Sequence, residues 1–243
     1  MTNDKTTTKG GLIAVAICLI AVACLAIFGN SSQRLQEPAK QQPSSDDSVA
    51  LRKAVMREGL RGAAKLRGIY VAEINPHWDW GRFDLEGLTK GSAAVVVGRF
   101  TKKMESRLGS QGMLIYTDYE FSVHEVIKGN TKQDETIVVS LPGGRVFFED
   151  GTSAEQTTPT FEHPQIGRSY TLFLMKSESL PSVFFLSGGP QGMFDIEDSG
   201  GVKSHGLPDD LTAIETKGKD RESFMKNVRE QARKWPKPGK CCG

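Results

Sequence analysis

Hydrophobic and polar positions change period several times along the chain, and each change predicts an element. Residues 12–28 (LIAVAICLIAVACLAIF) are seventeen apolar positions in a row, and no charge falls between Gly10 and Gln33. At about 1.5 Å rise per residue, a helix of this length approaches the hydrocarbon thickness of a bilayer once Gly10, Gly11 and Gly29 are added. That predicts a membrane-inserted segment over 11–29 behind a short cytoplasmic head, 1–10. Residues 30–47 (NSSQRLQEPAKQQPSSDD) have little apolar surface to bury and read as a flexible spacer.

Over 48–68 the period becomes helical. Ser45 and Ser48 are N-cap candidates and Gly68 a stop. Leu51, Val55, Met56, Leu60 and Ala63 share one broad side, while Lys53, Arg57, Arg61 and Lys65 form a basic stripe on another. Such a stripe beside a membrane tether could meet anionic lipid headgroups; it could equally be the solvated face of a helix packed on the body. Arg52 interrupts the apolar side, and Gly59 and Gly62 weaken the helix.

From Ser92 onward the period falls to two. The β-branched run at 93–97 predicts a strand covered on both sides and ending near Gly98. At 116–127, Tyr119, Phe121 and Val123 alternate with Asp118, Glu120, Ser122 and His124, until Glu125-Val126-Ile127 breaks the pattern and predicts a bulge. Strands are further predicted at 136–141, 145–148, 170–175, 183–186 and 192–196, the third and fourth of these as a hairpin. A short helix over 84–89 and a C-terminal one over 220–234, the latter with Phe224, Val228 and Ala232 on one face, flank them. No regular alternation of helix and strand argues for a parallel sheet. The expected fold is mainly β, a small antiparallel barrel or sandwich with flanking helices, preceded by one transmembrane helix. The body divides into a barrel over 84–200, a helical segment over 207–235 and a tail, 236–243.

Composition adds location. The 243 residues carry 31 Lys plus Arg against 29 Asp plus Glu, a balance of +2 that gives no reason to expect nucleic acid. The cysteines are Cys18, Cys24, Cys241 and Cys242, so the body holds neither a disulfide nor a thiol nucleophile. The apolar segment is longer than a cleaved signal core and has no good Ala-x-Ala pair at its polar end, which favours an uncleaved anchor. Ala21-Val22-Ala23-Cys24 offers the alternative of a lipobox with lipid on Cys24, although Leu25 and its neighbours continue the apolar run. Basic flanks do not orient the segment, since Lys5 and Lys9 face Arg34 and Lys40. The short head favours a body outside the cytoplasm. Cys241 and Cys242 could join two chains, take a metal or lipid, or lie in an unstructured tail.

In order, SAAVVVG (92–98), YEFSVHEVIKG (119–129), PGG (142–144), GRSYTLFL (167–174) and GGPQG (188–192) resemble the OB-fold barrels of netrin-like domains. They are more similar still to uncharacterised exported bacterial proteins of that strand pattern. The resemblance covers about 88–197 and implies an OB-like barrel and an exported setting. Tissue inhibitors of metalloproteinases, in the same family, use an N-terminal cysteine on the target's zinc together with several disulfides. This chain has no cysteine in that region, so inhibition does not carry over.

Chemistry is sparse. His124-Glu125 begins a zincin motif, but Lys128 stands where the second histidine belongs. His77, His163 and His205 are scattered, and no Gly-x-Ser-x-Gly elbow or phosphate loop occurs; Gly188-Gly189-Pro190-Gln191-Gly192 reads as a positive-φ turn. Asp195, Glu197 and Asp198 lack calcium-loop spacing. No catalytic residue, cofactor or metal site is assigned. Trp78 and Trp80, around Asp79, are either a partner surface or a buried cap on the barrel. The expected function is a non-catalytic binding or assembly module, with the membrane, through 11–29, and an unknown protein or small ligand as partners. The alternatives are a hydrolase assembled from scattered residues such as Asp118, Glu120 and His124, or an oligonucleotide-binding barrel.

Overall fold

The computed structural model describes residues 45–74, 81–177 and 179–236. Within them lie α1 (Ser45–Arg67), β1 (Ile69–Glu73), α2 (Leu85–Gly91), β2 (Ala94–Leu108), β3 (Ile115–Lys128), β4 (Thr136–Pro142), β5 (Gly144–Phe147), β6 (Ser153–Thr157), β7 (Ser169–Lys176), β8 (Val183–Leu186), β9 (Met193–Ile196), β10 (Val202–Ser204), α3 (Leu211–Thr216) and α4 (Arg221–Lys234). The fold is mainly β. A seven-stranded sheet runs β10-β9-β7-β2-β3-β4-β8, and a three-stranded sheet runs β1-β6-β5.

Strand β7 pairs with β8 as well as with β2 and β9, so the order β7-β2-β3-β4-β8 returns to β7. The ring closes unevenly. β2 and β3 stay paired from Val95↔Lys128 to Leu108↔Ile115, whereas β4 meets β8 only from Val138↔Val183 to Ser140↔Phe185. Inside, Phe100 packs edge-on against Tyr119, Phe121 and Tyr170 at 5.6, 4.9 and 5.3 Å between ring centroids. The alternation of β3 puts Tyr119, Phe121 and Val123 into this core, as the period predicts.

The Val95-Val96-Val97 run is covered on both sides. Val96 faces the interior, while Val95 and Val97 lie under α2 and α4 with Phe173, Phe194 and Phe224. Asp84 and Asp220 cap these helices, accepting from the amides of Gly87 and Ser223 at 2.6 and 2.8 Å. Register shifts fall where the pattern failed: Val96 pairs with Val126 but Val95 with Lys128, leaving Ile127 over, and a second slip leaves His124 over. The pinch demands glycine on β2, because a Cβ at Gly98 would meet Ser122 O at 2.0 Å.

Several expectations are corrected. β2 does not end near Gly98 but continues to Leu108, its exposed second half held by backbone pairing to β3. The sheets are not purely antiparallel, since β4–β8 and β1–β6 are parallel. β1, β6 and β10 were not expected; β1 and β6 build the small sheet on which α1 rests, Leu60 and Ala64 meeting Ile115, Val146 and Ala154. Met56 is 80% exposed, because α1 is broken at Gly59 (φ 63°) and the expected apolar side does not run through it. Among the described residues no helix is long and apolar enough to cross a membrane. The segment 11–29, its head and most of the spacer lie outside them, as do Cys24, Trp78, Trp80, Cys241 and Cys242.

Candidate functional site

Where the β4–β8 pairing stops, β4 runs on as Leu141-Pro142 while the chain after Leu186 turns away through Gly188 and Gly189 (φ 65° and 60°). This is the turn predicted for the glycine pair, and it separates two apolar strand ends. Between them lies a pocket of about 230 Å³. Leu141 and Pro142 of β4, Phe185 and Leu186 of β8, Met175 of β7, and Phe161 and Pro190 from loops form its walls. Tyr116 and Ser140 bring polar atoms to it.

Register explains the polar edge. Asp118 lies across from Ser140, Ser140 across from Phe185, and Arg107 across from Tyr116, so one outward-facing patch collects them. Arg107 donates from Nε to Asp118 Oδ2 at 2.9 Å and from Nη2 to Ser140 Oγ at 2.8 Å. The Ser140 hydroxyl in turn donates to Asp118 Oδ1. The Arg107 guanidinium stands 5.8 Å from the centre of the Tyr116 ring, and that ring meets Phe185 edge-on at 5.4 Å. Burial pushes the Tyr116 hydroxyl above the ordinary phenol range, against the pull of Arg107. The phenol is thus a neutral donor at any physiological pH.

A second cluster backs onto the pocket through Phe161. The Phe161 ring lies 5.7 Å from His163 and 6.4 Å from His205, and Tyr119 Oη is 3.1 Å from His163 Nδ1. Burial pushes Tyr119 up to about 12 and pushes both imidazoles down, helped by Lys103 at His163 and Lys203 at His205. Arg168 donates to Asp195 Oδ2 at 2.6 Å; Asp195 Oδ1 and His205 Nε2 are buried with no hydrogen-bond partner. Two histidines that looked scattered are therefore neighbours of one ring.

The remaining sequence candidates are dispersed. Arg57 and Lys65 both pair with Glu58 of the same helix, while Arg61 lies over the Phe148 ring, outside α1, at 5.6 Å. Lys53 is exposed. Asp118 is committed to Arg107 and Ser140, Glu120 pairs with Lys102 at 3.7 Å, and His124 is exposed; no hydrogen bond or ion pair joins any two of the three acidic or imidazole groups. Asp195, Glu197 and Asp198 do not converge, and among the described residues no group of three His, Cys, Asp or Glu side chains could hold a metal ion. Arg107, Ser140 and Tyr116 went unread as a set. Asp118 among alternating apolar residues was their only trace in the sequence.

No protein-family model matches the chain, and no curated protein matches it.

Proposed function

We propose that the chain is a membrane-anchored, non-catalytic binding module, displaying an OB-like barrel outside the cytoplasm and binding its partner at the seam pocket. One observation carries this reading: a preformed apolar pocket with a small convergent polar edge, left uncovered by the described residues on a sheet whose opposite flank is roofed by helices. The five-strand ring with its non-sequential β4–β8 pairing is in keeping with a Greek-key barrel of OB type and with the netrin-like resemblance. The anchor over 11–29, with or without lipid on Cys24, would hold the module at the membrane.

Met175 lines the pocket and is half-buried, so Met175→Trp fills the cavity from its edge with little strain on the core. Tagged full-length protein and this variant, purified in mild detergent from native membranes, are compared by mass spectrometry of bait and co-purifying material. The expected result is a stoichiometric partner or ligand on the wild type and its loss from the variant at nearly unchanged melting temperature. The same material on both would remove the pocket from the reading, and the bait mass reports cleavage or a lipid.

A further inference from the structure

We infer that the seam pocket takes a neutral aromatic ring with a short substituent, and discriminates against the same ring when it carries an ionised group. The inference rests on the reading of this pocket as the binding site and adds the chemistry of what fills it.

Size and wall chemistry set the ring. A cavity of about 150 Å³ lined by aliphatic and aromatic groups is enough to hold benzene, and this one is about 230 Å³. One ring and a few further atoms fit. The walls suit an aromatic guest: the Tyr116, Phe161 and Phe185 rings can meet it edge to face, Pro142 and Pro190 add apolar surface, and the Met175 thioether is a soft, polarizable neighbour.

Charge sets the rest. None of the described residues that line the pocket is charged, and their only polar side-chain groups are the hydroxyls of Tyr116 and Ser140. Burial keeps the Tyr116 proton on, so that wall stays neutral. Arg107 and Asp118, which both reach Ser140, lie outside the lining and are paired with each other at 2.9 Å. Neither is left as a counter-charge for a ligand. An ion entering between such walls gives up its water and gains no opposite charge, whereas a neutral ring is driven in by the same loss of water. A hydroxyl both donates and accepts, so Tyr116 and Ser140 can accommodate a neutral polar substituent of either kind while offering nothing that selects an ion.

The test uses the full-length chain in lipid nanodiscs, with empty nanodiscs as the blank, titrated calorimetrically with 4-methylphenol, 4-methylbenzoate and 4-methylbenzylammonium. The phenol should bind one to one and each ion about tenfold more weakly or worse, because the ion's desolvation goes uncompensated. Met175→Trp should abolish binding of the phenol. Met175→Lys puts an ammonium on a flexible stem at the half-buried edge of the pocket, and should bring the benzoate up to the phenol's affinity. Should Met175→Trp unfold, Phe185→Ala takes its place and should weaken the phenol about tenfold, by removing one aromatic wall. N-acetyl-tyrosinamide separates sources: tighter binding than 4-methylphenol supports the inference with an aromatic side chain of a peptide as ligand, weaker binding supports it with a free small molecule. Either ion binding as tightly as the phenol, with both lost in Met175→Trp, overturns the neutral preference and leaves the pocket as a binding site. Absence of binding by all three probes, or phenol binding indifferent to Met175→Trp and Phe185→Ala, overturns inference and site together.

Discussion

Two flanks of the same seven-stranded sheet carry apolar side chains on their outer face, and among the described residues only one is roofed. Over β2, β7 and β9, the side chains of Val95, Val97, Phe173 and Phe194 lie beneath Leu85 and Leu88 of α2 and Phe224, Met225 and Val228 of α4. Around the β4–β8 seam, Tyr116, Pro142 and Phe185 line an open pocket. Under the roof Lys128 donates to Thr89 O and Thr171 to Met225 Sδ at 3.7 Å, and at the rim Lys90 lies 4.4 Å from the Trp235 ring and Trp235 donates to Glu86 at 3.2 Å. At the open flank Tyr116 and Ser140 stand in the pocket lining itself. Apolar surface matched by a helix is spent on folding, whereas apolar surface left open beside polar groups is available for a ligand.

The sharpest way to break that contrast is to truncate one ring on each flank. Phe224 is fully buried and lies 5.0 Å from Phe194, so Phe224→Ala should cost about 3–5 kcal/mol in urea unfolding, from lost burial and the cavity left behind. Phe185 is half-buried, and Phe185→Ala should cost about 1 kcal/mol while weakening any pocket ligand at least tenfold. Equal costs at the two positions would make the open flank as structural as the covered one.

Acidification probes the wall behind the pocket. Burial, with Lys103, holds His163 below its ordinary 6.5, and burial, with Lys203 and against Asp195 and Glu162, does the same for His205. The unfolded chain therefore takes up these protons first as pH falls. Stability contributed by the neutral imidazoles is complete above about pH 6.5 and is lost as pH drops through the lowered folded values. A melting-temperature series from pH 7.5 to 5 should slope downward in that window, and the double variant His163→Gln/His205→Gln should flatten it. Hydrogen exchange at 158–168 should rise before that of α4. A slope untouched by the double variant would assign the acid sensitivity elsewhere.

How legible all this was depends on whether burial or pairing made each element. β3 was readable because one face is buried, so Tyr119, Phe121 and Val123 alternate with polar residues, and β4 because Ile137, Val139 and Leu141 repeat at the same period of two. The second half of β2 was not, because its TKKMESRL side chains are largely exposed and only its backbone pairing to β3 makes it a strand. β1 and β6 are short and found each other by a parallel pairing across distant sequence, which no local period announces. The pocket escaped for a related reason. It exists where two strands diverge, and Arg107, which donates to Ser140 of its lining, sits on the unread half of β2. His163 and His205 were each visible as lone residues, and only the placement of Phe161 makes them neighbours.

The smallest expected effect concerns what fastens the roof. Arg229 of α4 reaches Glu125 of β3 with three N–H···O contacts of 2.8 to 3.1 Å, the best-formed ion pair on that flank. Both side chains are over a third exposed, 46% and 40%, so water screens the attraction and immobilising them offsets much of the remainder. A double-mutant cycle of Arg229→Ala and Glu125→Ala should return a coupling of about 0.5 kcal/mol, falling further in 0.5 M salt. Phe224→Ala should exceed it several-fold, because the roof is held by apolar area and the charge pair only sets its angle. A coupling near the cost of Phe224→Ala would mean that the covered flank, like the open one, depends on its polar edge, and the contrast between the two would fail.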